Sequence, residues 1–399
     1  MTEDRATLVP ALEAVEEGVA PLIRGAIREV LEATLAEEVT AALGRAAWER
    51  VAARRGYRHG TSARTIVTGE GPVTVRVPRA RLAQADGTTT EWQNGVLPKY
   101  ARRRPAVDAV LARLYVSGAS TRDLRRALQP LLGRQALSRS AVSRVVGKLQ
   151  GAYTAWRTRP LGAEPMAYLY LDGQRVRVRA DRGVTTAVVL MALGVRPTGE
   201  KVVLALRLVS DETTAAWGLL LAELTRRGLA RPELVISDGS DGAQAALDLA
   251  WPGVPHQRCL VHKLRNLLAV TPRPLQAAVI ADFRRFTDAT CPEAAQAALA
   301  HFRRTWTLRW SAAVASLDEA GDQLTTYLAF PGAQWKGLRS TNIIERIFGE
   351  FRRRLKVQGA LPSPEAVLIV LWGTLATGAI TLRRVPGYRT LVRPAVQAA

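Results

Sequence analysis

Glu233–Gly242 reads ELVISDGSDG. Leu234–Ser237 is a short run of strand formers that delivers Asp238 to a glycine turn, and AQAALDLA follows with helical periodicity. A strand running into Asp-Gly sets a carboxylate at the carboxyl edge of a sheet, where ligands of α/β proteins gather. Met166–Gly173, MAYLYLDG, repeats the pattern and ends in Asp172-Gly173. One Asp-Gly is an ordinary turn dipeptide. Two of them, each closing an apolar run, predict carboxylates side by side, as two hard divalent cations require.

Around this pair, extended segments are expected at 166–172, 174–180, 184–195 and 201–209, the second continuing the first. A helix at Thr214–Arg227, the Asp238 strand and a helix at Ala243–Ala250 come next. Strands first, then strand–helix alternation, predict a mixed sheet flanked by helices. Residues 263–335 read as helix, with Trp306, Trp310 and Trp335 in core positions. A further helix starts near Asn342, carries Glu345 and Glu350, and runs into the basic stretch Arg352–Lys356; Val367–Leu382 is an apolar helix.

The chain has 399 residues and a net charge of +21, unevenly spread: −5 over residues 1–50, +16 over 51–160 and +10 over the rest. A basic block of that density is a nucleic-acid footprint. Residues 8–48 are an acidic amphipathic helix suited to packing or self-association. Within 56–81, Arg64–Thr68 and Val73–Val77 flank Gly-Glu-Gly as a hairpin whose ends carry Arg58, Arg64, Arg76, Arg79 and Arg81. Residues 84–98 read as a polar loop. Val107–Val116 is a helix. Thr121–Leu132, with Arg122, and Ser138–Leu149 resemble a helix-turn-helix whose second helix offers Arg139, Arg144 and Lys148 to a major groove. Pro160–Pro165 marks a linker. Two cysteines give no disulfide framework and point to a reducing cytoplasm, and no apolar run long enough for a membrane span or a secretory leader is seen.

A third carboxylate would complete a two-metal site. Arg339–Lys356, RSTNIIERIFGEFRRRLK, places Glu345 107 residues beyond Asp238. With GYRHG, VPRAR, LYVSGASTRDL, YLYLDG, LVISDG and QRCLVHKLRN in order, the chain resembles the mutator-type transposases of bacterial insertion sequences over nearly its whole length. These are DDE transposases with a ribonuclease H-like core. The resemblance implies a catalytic triad of Asp172, Asp238 and Glu345 holding two Mg²⁺ (or Mn²⁺) ions, and an all-helical insertion between Asp238 and Glu345. Glu350 is a rival, but five residues along a helix it points away from Glu345; Glu345 sits in the family's Asn-x-x-Glu-Arg pattern.

Cys259-x-x-His262, with His256 nearby, invites a zinc reading. Structural zinc needs four ligands, and Cys291 is the only other cysteine. The resemblance instead places the motif beside the active site, where His262 would orient a phosphate or a carboxylate, or simply pack. Arg258, Lys263 and Arg265 are expected near the DNA backbone, Asn342 and Arg346 beside the triad, and Arg352, Arg353 and Arg354 on DNA.

The expected fold is multidomain α+β: helical residues 1–55, a basic hairpin and loop at 56–100, a helix-turn-helix-like region at 101–160, a ribonuclease H-like mixed α/β core at 164–262 and 339–399, and an all-α insertion at 263–338. The expected function is a DNA transposase that binds terminal inverted repeats, cuts them and joins the freed ends, with a circular intermediate implied by the resemblance. Double-stranded DNA (transposon ends and target) and a second copy of the chain, as homodimer or larger synaptic assembly, are the expected partners; the expected setting is the bacterial cytoplasm, at the nucleoid. The competing readings are a ribonuclease H-like resolvase that stops at hydrolysis and a non-catalytic DNA-binding regulator.

Overall fold

The computed structural model describes residues 20–51, 54–97, 105–116, 139–163, 165–180, 183–358 and 363–391. The chain divides into two compact units, Met1–Tyr115 with Ala119–Leu149, and Val116–Gly118 with Gln150–Ala399.

In the first unit, helix α1 (Ala20–Leu43) packs on an antiparallel sheet of β1 (Gly56–Thr68), β2 (Gly71–Ala83) and β3 (Thr89–Glu91), in that order. On β2, Val73, Val75 and Val77 turn inward onto Leu35 of α1 and Leu97, while Thr74 and Arg76 face out, as the two-residue period of a strand dictates. The hairpin is longer than the apolar runs predicted, pairing from Thr68–Gly71 back to Gly56–Leu82. Its outer half carries arginine and threonine on the solvent face, which hides a strand from a search for apolar runs. β3 lies in the segment expected to be loop and pairs with Arg81–Ala83. Helix α2 (Pro105–Val116) and the start of α3 (Arg139–Thr158) meet through Val107, Leu111 and Val145, with Val67 of β1. The expected helix at Thr121–Leu132, and Arg122 with it, lies outside the described residues.

The second unit is built on β4 (Tyr168–Ala180), β5 (Gly183–Val195), β6 (Lys201–Val209), β7 (Leu234–Ser237) and β8 (His256–Arg258), in the order β6-β5-β4-β7-β8. β4, β5 and β6 pair antiparallel, whereas β7 and β8 add parallel to β4. Helices α4 (Thr214–Arg226) and α5 (Asp241–Ala250) bury Trp217, Leu220, Leu224 and Leu247 against Leu169, Leu171 and Val235 on one face. Tyr168 and Tyr170 point to the other face, where their hydroxyls reach Gln334 and the Gly337 carbonyl. There lie the short α10 (Trp335–Leu338), then α11 (Asn342–Gln358) and α12 (Pro364–Ala376).

Between β8 and α10 the chain is helical: α6 (Leu260–Ala269), α7 (Arg273–Thr287), α8 (Pro292–Arg309) and α9 (Ser311–Asp318), followed by short 3-10 turns. The tryptophans are packing residues here. Trp306 is fully buried and its indole donates to Asp282, while Trp310 and Trp335 donate to the Val270 and Phe330 carbonyls.

Three expectations change. Asp172-Gly173 is not a turn: β4 runs through it, because Gly173 stays in register opposite Leu190 of the long β5. The Pro160–Pro165 stretch is not a free linker, since Leu161 is buried and its N–H donates to the Arg227 carbonyl. Helix α12 stops at Ala376 rather than Leu382, where Gly378 takes the left-handed conformation of a helix stop (φ 69°). No helix among the described residues is long and apolar enough to cross a membrane.

Candidate active site

Strand periodicity decides where the first carboxylate goes. Asp172 shares the face of Tyr168 and Tyr170, so it turns away from α4 and α5 toward α11. Parallel pairing sets Tyr170 opposite Ile236, and the same register carried two residues further sets Asp172 level with Asp238, just past the end of β7. Asp238 leaves the strand through Gly239, whose φ of 77° and lack of Cβ are both needed: a Cβ there would meet Arg258 Nε at 2.4 Å. The Ser240 N–H donates to the Asp238 carboxylate at 3.0 Å.

Asp172 is buried, with 5% of its surface exposed. Burial, reinforced by Asp238, pushes its carboxyl up to about 7 against the opposing pull of His262, the Gly173 N–H and the Thr341 hydroxyl. It is a carboxylate short of positive charge. Glu345 sits on the first turn of α11, its N–H bonded to the Thr341 carbonyl. Its carboxylate accepts from Arg265 at 2.6 Å and lies 3.4 Å from His262 Nε2. Glu350 instead pairs with Arg353 and Arg354 on its own helix. Asp172, His262, Arg265, Asn342, Glu345 and Arg346 line one open cleft of about 530 Å³.

The Cys-x-x-His motif is the joint that brings these elements together. The Cys259 N–H donates to the Ser237 carbonyl at the end of β7, and Leu260 N–H to the Arg339 carbonyl ahead of α11. The buried Cys259 sulfur accepts from the Thr341 N–H at 3.3 Å and from its hydroxyl at 3.5 Å, and that hydroxyl is 3.5 Å from His262 Nδ1. Sheet end, thiol and the start of the Glu345 helix are thereby tied in sequence. Burial raises the Cys259 thiol, but hydrogen bonds from His262 and Thr341 outweigh it and hold it low. The same bond with Cys259, with further attraction from Asp172 and Asp238, outweighs burial and lifts His262 to about 9. His256 takes no part: it bonds to Ser237 Oγ at 2.8 Å, and burial with Arg258 nearby pulls it down to about 4, so it is neutral.

Other expected residues are placed differently. Arg258 and Lys263, expected near the DNA backbone, are turned inward. Both are buried, and Glu319, just beyond α9, accepts from each at 2.5 Å. In the first unit, Arg58 is held by the Ala46 and Arg45 carbonyls and Thr40, and Arg64 by the Leu97 carbonyl. Arg76, Arg79 and Arg81 are exposed, Arg79 with Glu91 at 3.7 Å. Arg144 and Lys148 are exposed on α3, Lys148 with Asp108 at 3.0 Å. The Arg139 side chain lies outside the description. Arg352 donates to Gln174 at the cleft edge.

One carboxylate escaped the sequence reading. Glu212, between β6 and α4, lies against Gly173, where a Cβ would come within 2.5 Å of Glu212 Oε1. Burial, with Asp238 next to it, pushes Glu212 up. The available signal is a strand end followed by Asp211-Glu212, which by itself does not say which of two adjacent acids turns inward. The exposed row Arg175, Arg177 and Arg179 on the far half of β4 was also missed, although 174–180 was expected to be extended.

Among the described residues no three His, Cys, Asp or Glu side chains converge on one metal position. The donor types nevertheless suit a hard divalent cation: Asp172, Asp238, Glu212 and Glu345 offer only oxygen, and Asp172 and Glu212 each have Asp238 as a charged neighbour.

Residues 2–378 match the family described as "Transposase, Mutator family". The chain is 34% identical over 352 residues to the transposase for insertion sequence element ISRM5 of Rhizobium meliloti (strain 1021), spanning 88% of this chain and 85% of that protein. It is 33% identical over 353 residues to the transposase for insertion sequence element IS406 of Burkholderia multivorans, spanning 88% and 89%. It is 31% identical over 320 residues to the transposase for IS256 in transposon Tn4001 of Staphylococcus aureus, spanning 79% of each. With the match running from the first unit through the cleft carboxylates to the end of α12, the chain belongs to the Mutator family of insertion-sequence transposases.

Proposed function

We propose that this transposase binds the inverted repeats at the ends of its element through the first unit, and cuts and joins them with Asp172, Asp238 and Glu345 on a ribonuclease H-like core. The observation that carries the reading is the parallel register that sets Asp172, within β4, level with Asp238 just past the end of β7, with Glu345 brought to the Asp172 cleft through Cys259 and Thr341. Three antiparallel strands followed by two parallel ones, with helices on both faces, support the core assignment. The three carboxylates would hold two Mg²⁺ or Mn²⁺ ions, which when bound activate the attacking oxygen and neutralise charge on the leaving one. Arg265 and His262 orient Glu345, and Arg346 and Arg352 at the cleft rim bind the strand backbone.

The test uses the full chain with DNA carrying both element ends and an unrelated target. Cleavage that frees a 3′-hydroxyl, followed by joined product from a pre-cut end, is expected; hydrolysis with no joining would instead fit a resolvase. A junction that links the two ends of one element would support the circular route.

Cys259→Ser should keep the fold, with unfolding shifted by only about 1 kcal/mol because the hydroxyl can take over the bond from Thr341. Cleavage should fall about tenfold as the Glu345 helix loosens. Stoichiometric zinc in the purified protein, with an unfolded Cys259→Ser, would overturn this account of the motif.

The arginines of the first unit should separate into two classes. Arg58→Ala should cost about 1–2 kcal/mol of stability, since it strips bonds from two carbonyls. Arg81→Ala should leave stability alone and lower the slope of log affinity against log salt by about 0.9, the loss of one phosphate contact. Calorimetry and salt-dependent anisotropy distinguish them; a reversed pattern would refute the assignment.

A further inference from the structure

A second cavity, of about 490 Å³, adjoins the catalytic cleft and shares Asn342 and Arg346 with it. Arg339, just past α10, lines it but donates to the Thr287 carbonyl, and four further cations reach it from four elements: Lys201 at the start of β6, Arg284 of α7, Lys336 of α10 and Arg346 of α11. Among the described residues none of the four has a carboxylate within ion-pair distance, and Asp288 is the sole acid on the wall. Burial and the nearby Arg346 both depress Lys201, so the cations crowd one another rather than an anion of the protein. The remaining wall is apolar, with half-exposed Val261 and Leu264 of α6 and Ile343 of α11.

Free inorganic anions need only the cations and leave that wall unused. A duplex backbone would touch the rim and leave the interior empty. A nucleotide uses both halves, phosphate on the cations and base against the apolar side, and the volume lies in the range of small-ligand sites. Continuity with the cleft selects a nucleotide of a strand over a free one. We propose that this cavity holds one unpaired nucleotide of the DNA strand running through the catalytic cleft, its phosphate on Lys201, Lys336 and Arg346 and its base against Leu264 and Ile343. The role of the strand rests on the catalytic reading above; occupancy of the cavity does not.

The test needs no turnover. The full chain, without divalent metal, is acetylated with a lysine reagent in the presence of single-stranded oligothymidylate, a blunt duplex of equal length, or thymidine monophosphate. Mass spectrometry reads each lysine, and a 4-thiothymidine placed in the strand reads photo-cross-links. The single strand is expected to protect Lys201 and Lys336 and to cross-link to α6 or α11 peptides, while the duplex leaves both lysines reactive. The double substitution Lys201→Gln with Lys336→Gln should weaken single-strand binding about tenfold and leave duplex binding unchanged. Equal protection by the duplex would mean a backbone contact and overturn the proposal. So would protection by the monophosphate at the strand's concentration, which indicates a free-nucleotide site, or no protection at all. If Asp172→Asn still cuts DNA but the lysines are protected, the catalytic reading fails and this one stands.

Discussion

Asp172→Asn, Asp238→Asn and Glu345→Gln are each expected to lower divalent-metal-dependent cleavage of element-end DNA by about a thousandfold or more, while binding of that DNA by anisotropy should stay within a few fold. The size follows from charge: each substitution removes one unit of negative charge from a site that must hold cations against the monoanionic-to-dianionic change as the phosphodiester reaches its five-coordinate transition state. The folded state should survive, and for Asp172 it should gain slightly, since a buried carboxylate repelled by Asp238 is replaced by a neutral amide of the same shape. Glu350→Gln is the control. Its partners are Arg353 and Arg354 on the same helix, so cleavage should be nearly unchanged. Loss of cleavage in Glu350→Gln with activity kept in Glu345→Gln would transfer the third carboxylate to the wrong side of α11 and undo the site.

The second large effect concerns stability. Glu319→Ala leaves Arg258 and Lys263 facing each other with no acceptor, and Lys263 has no exposed surface. Stranding a buried charge costs roughly 3–5 kcal/mol. Here the Glu319 side chain is itself half exposed, so water can enter where it stood, and about 2 kcal/mol is expected after that discount. Melting should drop by about 5 °C. Glu319→Gln, which keeps one acceptor, should lie between. If instead Glu319→Ala melts like the wild type and binds DNA more tightly, the two cations are DNA contacts screened by Glu319 rather than a strut between β8, α6 and the helices beyond.

Much was legible before any fold was in view. The strand at Leu234–Ser237 is where its apolar run ends, because a buried parallel strand must be apolar on both faces and Gly239 supplies a left-handed turn. Helix α11 begins at Asn342 as expected, since the run TNIIERIFGEF alternates apolar and polar residues at helical spacing. The amphipathic stripes that make α4 and α5 one cover of the sheet are of the same kind. β8 was not legible: three residues, His256–Arg258, carry no periodicity, and only the open edge of β7 makes them a strand.

Sequence by itself determined most element types, the basic charge early in the chain and the family, because local patterning and motif identity are properties of neighbours along the chain. What only the tertiary structure decided is which charges face one another. Arg258, Lys263 and Arg265 stand within eight positions of one another and look alike in sequence; the fold buries the first two against Glu319 and turns the third to Glu345. Glu212 reaches Gly173 across the sheet end, and Cys259 reaches Thr341 across 82 positions. Such pairings are set by register and helix docking, which depend on packing the whole core. No window of sequence contains them.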